Sequence, residues 1–190
     1  MLSHSHPKAS TAAGGNSAVL PGLSLAGRRW VRALGEEVDL FLSTYVNKVD
    51  RKGRVSVPAT FRSSLEGQRF HGIVVFPSFQ YPALDGTGGD YMEELGERLE
   101  TLEPFSAEYN DLSMLFAESR QLPFDSEGRV ILTEELKDHA DIDTEAMFVG
   151  RGAMFQIWEP SRFARHRDET RQRLRQGAAM PARGGVRRTQ

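Results

Sequence analysis

The chain of 190 residues contains no cysteine. Disulfides, thiolate metal sites and a cysteine nucleophile are therefore excluded, and the absence fits a reducing cytoplasm. No apolar run approaches the roughly 18 residues that a membrane span requires. Net positive charge is lacking too: the formal charge is −2, so composition alone does not announce a nucleic-acid binder. Histidine is sparse, with His71, His139 and His166 scattered along the chain. Nothing has the form of a nucleophile elbow, a phosphate-cradling glycine loop or a metal-ligand cluster. The expectation is a non-enzyme with no cofactor, no metal site, no membrane partner and no small-molecule substrate.

The charge that is present is segregated. Lys48, Arg51, Lys52, Arg54 and Arg62 cluster against Asp50 alone, the stretch from Asp90 to Asp111 is acidic, and the chain beyond Pro160 is rich in arginine. Segregation creates local fields that the average hides.

A second pattern is an internal repeat. Val49-Asp50-Arg51-Lys52-Gly53-Arg54-Val55-Ser56-Val57-Pro58 is echoed by Phe124-Asp125-Ser126-Glu127-Gly128-Arg129-Val130-Ile131-Leu132. Asp50, Gly53, Arg54 and Val55 recur 75 residues later as Asp125, Gly128, Arg129 and Val130. The same offset, without a gap, places Phe61 on Leu136 and Val74 on Val149. Two related half-units predict a pseudo-symmetric body. In each repeat Asp and Gly are turn chemistry, one to cap the turn and one to accept positive φ. Asp50, Gly53, Asp125 and Gly128 are therefore read as structural.

Coarse boundaries follow. Residues 1–37, rich in Ser, Ala, Gly and His, read as a disordered extension, and Arg28, Arg29 and Arg32 interrupt any signal-peptide core. A start upstream of the true one is the alternative. Half-unit 1 spans 38–88: a strand near Leu40–Val46, the Asp turn, a half-buried strand from Arg54, a short helix opened by Pro58, and a buried strand Ile73–Phe76. Tyr81 to Gly89 reads as loop because of Asp85-Gly86 and Gly88-Gly89. A helical pair over 89–117 carries apolar stripes that read as core packing, with Asp90 and Ser106 as caps. Half-unit 2 spans 118–160, with Thr133 capping its helix. A polar helix, 161–176, and a disordered basic tail, 177–190, complete the chain.

With these residues in view, the chain resembles the MraZ family over about residues 39–170. The carriers are the two Asp-x-x-Gly-Arg turns, each followed by a strand and short helix, together with Phe41-Leu42-Ser43 and Phe155-Gln156-Ile157-Trp158. The resemblance implies an α+β, mainly β fold of the AbrB/SpoVT kind: a pseudo-two-fold, swapped-hairpin, double-psi-like β-barrel with both halves in one chain. It implies a bacterial transcriptional regulator of the division and cell-wall gene cluster, repressing and autoregulating. Its partners would be double-stranded DNA with repeated promoter sites and further copies of itself in a ring. It would work in the cytoplasm at the nucleoid. Three features depart from the family pattern: the N-terminal extension, an enlarged loop at 78–89, and the long arginine-rich tail.

Phosphate neutralisation supplies affinity, and base edges supply sequence. Arg54 suits a base contact, since its fork can bond guanine O6 and N7 together. Lys48, Arg51 and Lys52 suit phosphates, and Asn47 suits a phosphate or an adenine edge. Charge alone implies only an anionic partner; the resemblance makes that partner DNA. An ion pair of Arg54 with Asp50 is the alternative, and the two roles coexist. Repeat 2 is acidic around its turn, so Arg129 stays open between DNA and structure. The basic C-terminal helix is read as a solvated face, a non-specific DNA arm, or a partner for the acidic helices of another copy. Outside DNA binding, the competing readings are an AbrB-like antitoxin and a non-catalytic oligomeric scaffold.

Overall fold

A computed structural model describes residues 24–26, 29–31, 37–38 and 40–177. The chain divides into two compact units, Met1–Glu37 and Val38–Gln190. In the first, β1 (Ser24–Ala26) pairs antiparallel with β2 (Arg29–Val31), Leu25 opposite Trp30. The third strand of this small sheet is β3 (Glu37–Val38), in the order β1-β2-β3. Of residues 1–37, expected to be a disordered extension, only these strand residues are described. The tail expected to be disordered lies, from 178 onward, outside the described residues.

The second unit is built from the repeat. Repeat 1 supplies β4 (Thr44–Lys48), β5 (Arg54–Ser56), α1 (Ala59–Ser63), β6 (Gly72–Pro77) and β7 (Ala83–Thr87). Two helices follow, α2 (Gly89–Thr101) and α3 (Ala107–Glu118). Repeat 2 supplies β8 (Arg120–Pro123), β9 (Arg129–Ile131), α4 (Glu134–Ala140), β10 (Glu145–Gly150) and β11 (Phe155–Trp158), and α5 (Pro160–Arg175) comes last. One sheet runs β4-β10-β11-β7-β6-β8, and β5 and β9 form a separate two-stranded ribbon. Exchanging each strand for its counterpart in the other repeat reads the sheet order backwards and leaves the ribbon unchanged. The unit therefore has a pseudo-twofold axis, and the ribbon register puts Val55 opposite Val130 on it. Neither repeat is a sheet by itself, because β4 pairs with β10 and β8 with β6.

Three expectations change. The fold is α+β with a mostly antiparallel sheet, but no closed barrel is drawn by the ladders. β4 and β8 are the two ends of an open sheet, and the short β5 and β9 form a ribbon of their own, with Val55 also bridged to Val49. The repeat is also not gapless. Val74 lies opposite Gln121, and Met147 lies opposite Val46, the counterpart of Gln121. Val74 thus corresponds to Met147 rather than Val149, because the stretch from the start of α4 to the start of β10 is two residues shorter than that from the start of α1 to the start of β6. Finally, Ala83–Thr87 is a buried strand rather than loop. Gly86 sits mid-strand because the Phe155 ring lies where a Cβ would go, and Asp85 accepts a hydrogen bond from Gln156 Nε2 at 2.6 Å. The enlarged loop reduces to Ser78–Pro82.

The core forms where the two repeats meet. Val55, Val57, Phe61, Ile73, Val75 and Leu84 pack with Val130, Leu132, Leu136, Phe148, Phe155 and Ile157. Phe61 on α1 is fully buried, and its ring meets Phe41, Tyr45, Phe148 and Phe155 at 5.2–6.2 Å. Burial of such a ring is worth about 1.5–3 kcal/mol. Its counterpart Leu136 fills the same place on α4, which Thr133 caps through Leu136 N at 3.4 Å. A second cluster surrounds Trp158, where Phe163 and His166 of α5 pack. Trp158 Nε1 donates to Gln156 Oε1 at 3.0 Å, so the buried amide and indole satisfy each other. The helical pair does not bury its stripe: α2 and α3 contain no fully buried residue, and Met114 stays 53% exposed. Ser106 does cap α3, accepting from Tyr109 N at 3.1 Å.

Candidate nucleic-acid interface

The two Asp-Gly-Arg turns have one backbone design. Asp50 Oδ1 accepts the amides of Lys52 and Arg54 at 2.8 and 3.0 Å, and its Oδ2 accepts Arg54 Nε at 2.6 Å. Asp125 repeats this with Glu127, Arg129 and Arg129 Nε at 2.8, 2.9 and 2.7 Å. Gly53 and Gly128 take φ of +75° and +72°, where a side chain is strained. Each turn is also tied to the opposite strand: Val57 N donates to Gly128 O at 3.1 Å, and Leu132 N to Gly53 O at 2.9 Å. Strand and turn thus brace one another across the axis.

This bonding holds both carboxylates ionised. The Arg54 amide foremost, then its guanidinium, lowers the pKa of Asp50. The Arg129 amide and guanidinium lower that of Asp125 to about 2. The same pair raises the pKa of Arg129. A carboxylate that accepts several N–H bonds favours its charged form.

Side chains break the symmetry. Arg54 pairs with Asp50 through Nε and Nη2. Arg129 pairs with Asp125 through Nε and also with Glu127 through Nη1 at 2.6 Å. The place of Glu127 in the first turn belongs to Lys52, and that of Ser126 to Arg51; Arg51 and Lys52 are both exposed. One turn is therefore cationic and the other largely self-neutralised, on the same scaffold. Lys48 is exposed at the end of β4, opposite Glu145. Asn47 uses its amide to donate to Ser56 O at 2.7 Å, bracing β4 against β5.

The structure thus gathers Arg51, Lys52 and Arg54 at one turn, with Arg129 across the ribbon. Two further residues, Ser56 and Ile131, escape a reading by charge, and charge alone does not show where Arg62 of the basic cluster is used. Ser56 and Ile131 emerge on the outward side of the ribbon, each beside an arginine. Arg62 lies over Gly128 and donates to Glu127 O at 3.0 Å, so this cation of repeat 1 serves the turn of repeat 2. The signal for Ile131 was its alignment with Ser56, a polar position, which its β-branched type concealed.

A two-stranded ribbon is one of the shapes the DNA major groove admits. Among the described residues no helix is long and apolar enough to cross a membrane.

The family model described as "MraZ protein, putative antitoxin-like" matches residues 115–180. The Transcriptional regulator MraZ of Rickettsia akari (strain Hartford) is 44% identical over 130 residues, covering 68% of this chain and 87% of that protein. Its namesake in Rickettsia canadensis (strain McKiel) is 43% identical over the same coverage, and that of Rickettsia typhi (strain ATCC VR-144 / Wilmington) is 42% identical. With identity at this level over most of the relatives' length, the chain belongs to the MraZ family.

Proposed function

We propose that this protein is a sequence-specific DNA-binding transcriptional regulator that represses the bacterial division and cell-wall gene cluster and its own promoter. The observation that carries the reading is the first Asp-Gly-Arg turn, which holds Arg54 by a carboxylate and surrounds it with exposed Arg51 and Lys52. A guanidinium fixed in this way loses little freedom on meeting a guanine edge. The relatives' name, Transcriptional regulator MraZ, supports the same reading.

In this reading Arg54 contacts bases, Lys48, Arg51 and Lys52 contact phosphates, and Asn47 braces the strand that carries them. Arg129 contributes less, being held by two carboxylates. The two repeats act as the halves of a swapped-hairpin barrel, with double-psi-like strand exchange across the axis. The protein works in the cytoplasm at the nucleoid as a homo-oligomeric ring, whose subunits together engage repeated promoter sites. Avidity of this kind makes a single site a weak ligand. An antitoxin needs a C-terminal segment free to wrap its partner, but α5 is held on this chain's own Trp158 by Phe163 and His166. That contact favours the regulator.

The test is fluorescence anisotropy with the protein's own upstream promoter over a salt series, beside Arg54→Ala and scrambled DNA. Preference for the promoter that weakens with salt and collapses in the variant is the expected result. Equal binding to scrambled DNA would remove the autoregulator.

A further inference from the structure

We infer that Ile131 is a base-reading residue, an apolar contact beside Arg54 that selects a thymine through its C5-methyl group. The inference rests on the DNA-binding reading and deepens it. Arg54, Ser56, Arg129 and Ile131 emerge on the outward side of the β5–β9 ribbon, while Val55 and Val130 between them are buried. The register sets Arg54 opposite Ile131 and Ser56 opposite Arg129. The pseudo-twofold makes Ser56 and Ile131 equivalent in place, yet one carries a hydroxyl and the other a branched hydrocarbon.

Ile131 is 55% exposed, so the core does not account for it; Val130 supplies the inward side chain of this strand. Its Cγ2 lies 3.8 Å from the point a Cβ would occupy on Gly53. The side chain therefore sits against the first turn, the one carrying Arg51 and Lys52. Directly opposed residues on antiparallel strands hold their Cβ atoms about 4.5–5.5 Å apart. Successive bases along a strand of DNA are about 3.4 Å apart. Arg54 and Ile131 thus address the same or adjoining base pairs when the ribbon lies in the major groove.

In that groove an arginine reads guanine O6 and N7, and an apolar side chain reads the thymine methyl. The pairing on the page supplies both readers side by side. The other half of the ribbon pairs Ser56, which has no methyl-seeking surface, with an arginine held by two carboxylates. Methyl reading is therefore confined to the side of the first turn.

The experiment starts from duplexes enriched from a random pool by the wild-type protein. Each thymine of an enriched duplex is then replaced singly by deoxyuracil, which deletes only the methyl. Affinities are measured for the wild type, for Ile131→Ser, which copies the mirror position, and for Ile131→Val, which keeps an apolar branched surface. One uracil replacement should weaken the wild type about fourfold, the factor that goes with ~0.8 kcal/mol for one buried carbon. Ile131→Val should keep that discrimination, and Ile131→Ser should bind both duplexes equally. A wild type indifferent to every uracil replacement, or an undiminished effect in Ile131→Ser, overturns the inference and leaves DNA binding standing. Failure to enrich any sequence overturns the DNA-binding reading and this inference with it.

Discussion

Exchanging the charges of the two turns, Lys52→Glu in the first and Glu127→Lys in the second, asks whether the cationic turn meets DNA. The backbone amides of Lys52 and Glu127 donate to the turn aspartates whatever side chain they carry. Both side chains are exposed, so each change should alter stability by no more than about 0.5 kcal/mol. Binding should respond more. Each phosphate contact contributes about 0.9 to the slope of log K against log salt. Loss of the Lys52 contact lowers the slope by that amount, so the advantage of the wild type should shrink about 3.5-fold between 50 and 200 mM salt. Glu127→Lys removes the carboxylate now 2.6 Å from Arg129 Nη1 and adds a cation. Its slope should rise by about one to two contacts. Anisotropy at four salt concentrations on one promoter duplex measures both. Equal slopes for the wild type and Lys52→Glu would refute the assignment of the first turn to DNA. An unchanged slope for Glu127→Lys would refute the claim that its charge keeps the second turn away.

Three further outcomes follow from the fold. Gly53→Ala should cost more than Gly128→Ala in urea denaturation: both glycines have positive φ, worth about 1–2 kcal/mol, but the new Cβ of the first meets the Leu132 carbonyl, whereas that of the second meets the Arg62 side chain, which can swing away. Phe61→Ala should cost about 3–5 kcal/mol and lower Tm, because four rings surround the cavity it leaves. Asp125→Asn should destabilise the protein near neutral pH and lose its effect in acid. The folded pKa of about 2 lies below the ordinary 3.8, so the aspartate's contribution is full above 3.8 and fades as pH falls toward 2. Urea melts from pH 2 to 7 check this, and a gap between the two proteins that stays constant throughout would refute it.

What could be read from sequence was local chemistry. The Asp-Gly-Arg turns depend on bonds within five residues, so their residues declare them. Ser106 and Thr133 declare their helices for the same reason. Strand β7 is the opposite case. Asp85 and Gly86 are turn residues by type, yet Asp85 is fixed by Gln156 and Gly86 by Phe155, both remote in sequence. A reading that sees only neighbours assigns them to a loop. The open sheet was hidden likewise, since its order depends on β4 reaching β10 and β8 reaching β6. The half-exposed stripe of α2 and α3 shows the same limit: helical spacing predicts a face, not what covers it.

Within the candidate interface, the repeat makes a sharper division. Everything that shapes the turns is held in duplicate: the carboxylate, the positive-φ glycine, the arginine Nε bond and the tie to the opposite strand. Apart from that arginine, the residues that would touch a partner differ: Arg51 against Ser126, Lys52 against Glu127, Ser56 against Ile131. Duplicate geometry without duplicate chemistry is what a symmetric scaffold needs in order to present one asymmetric face. Each turn accepts a bond that steadies the strand after the other, so the acidic turn is needed even if it never meets DNA. Arg62 makes the dependence explicit, since a cation from the basic repeat is spent on Gly128 and Glu127. In the proposed reading the second turn is therefore the brace and the first the reader, with Ile131 the one contact that the second repeat lends to it.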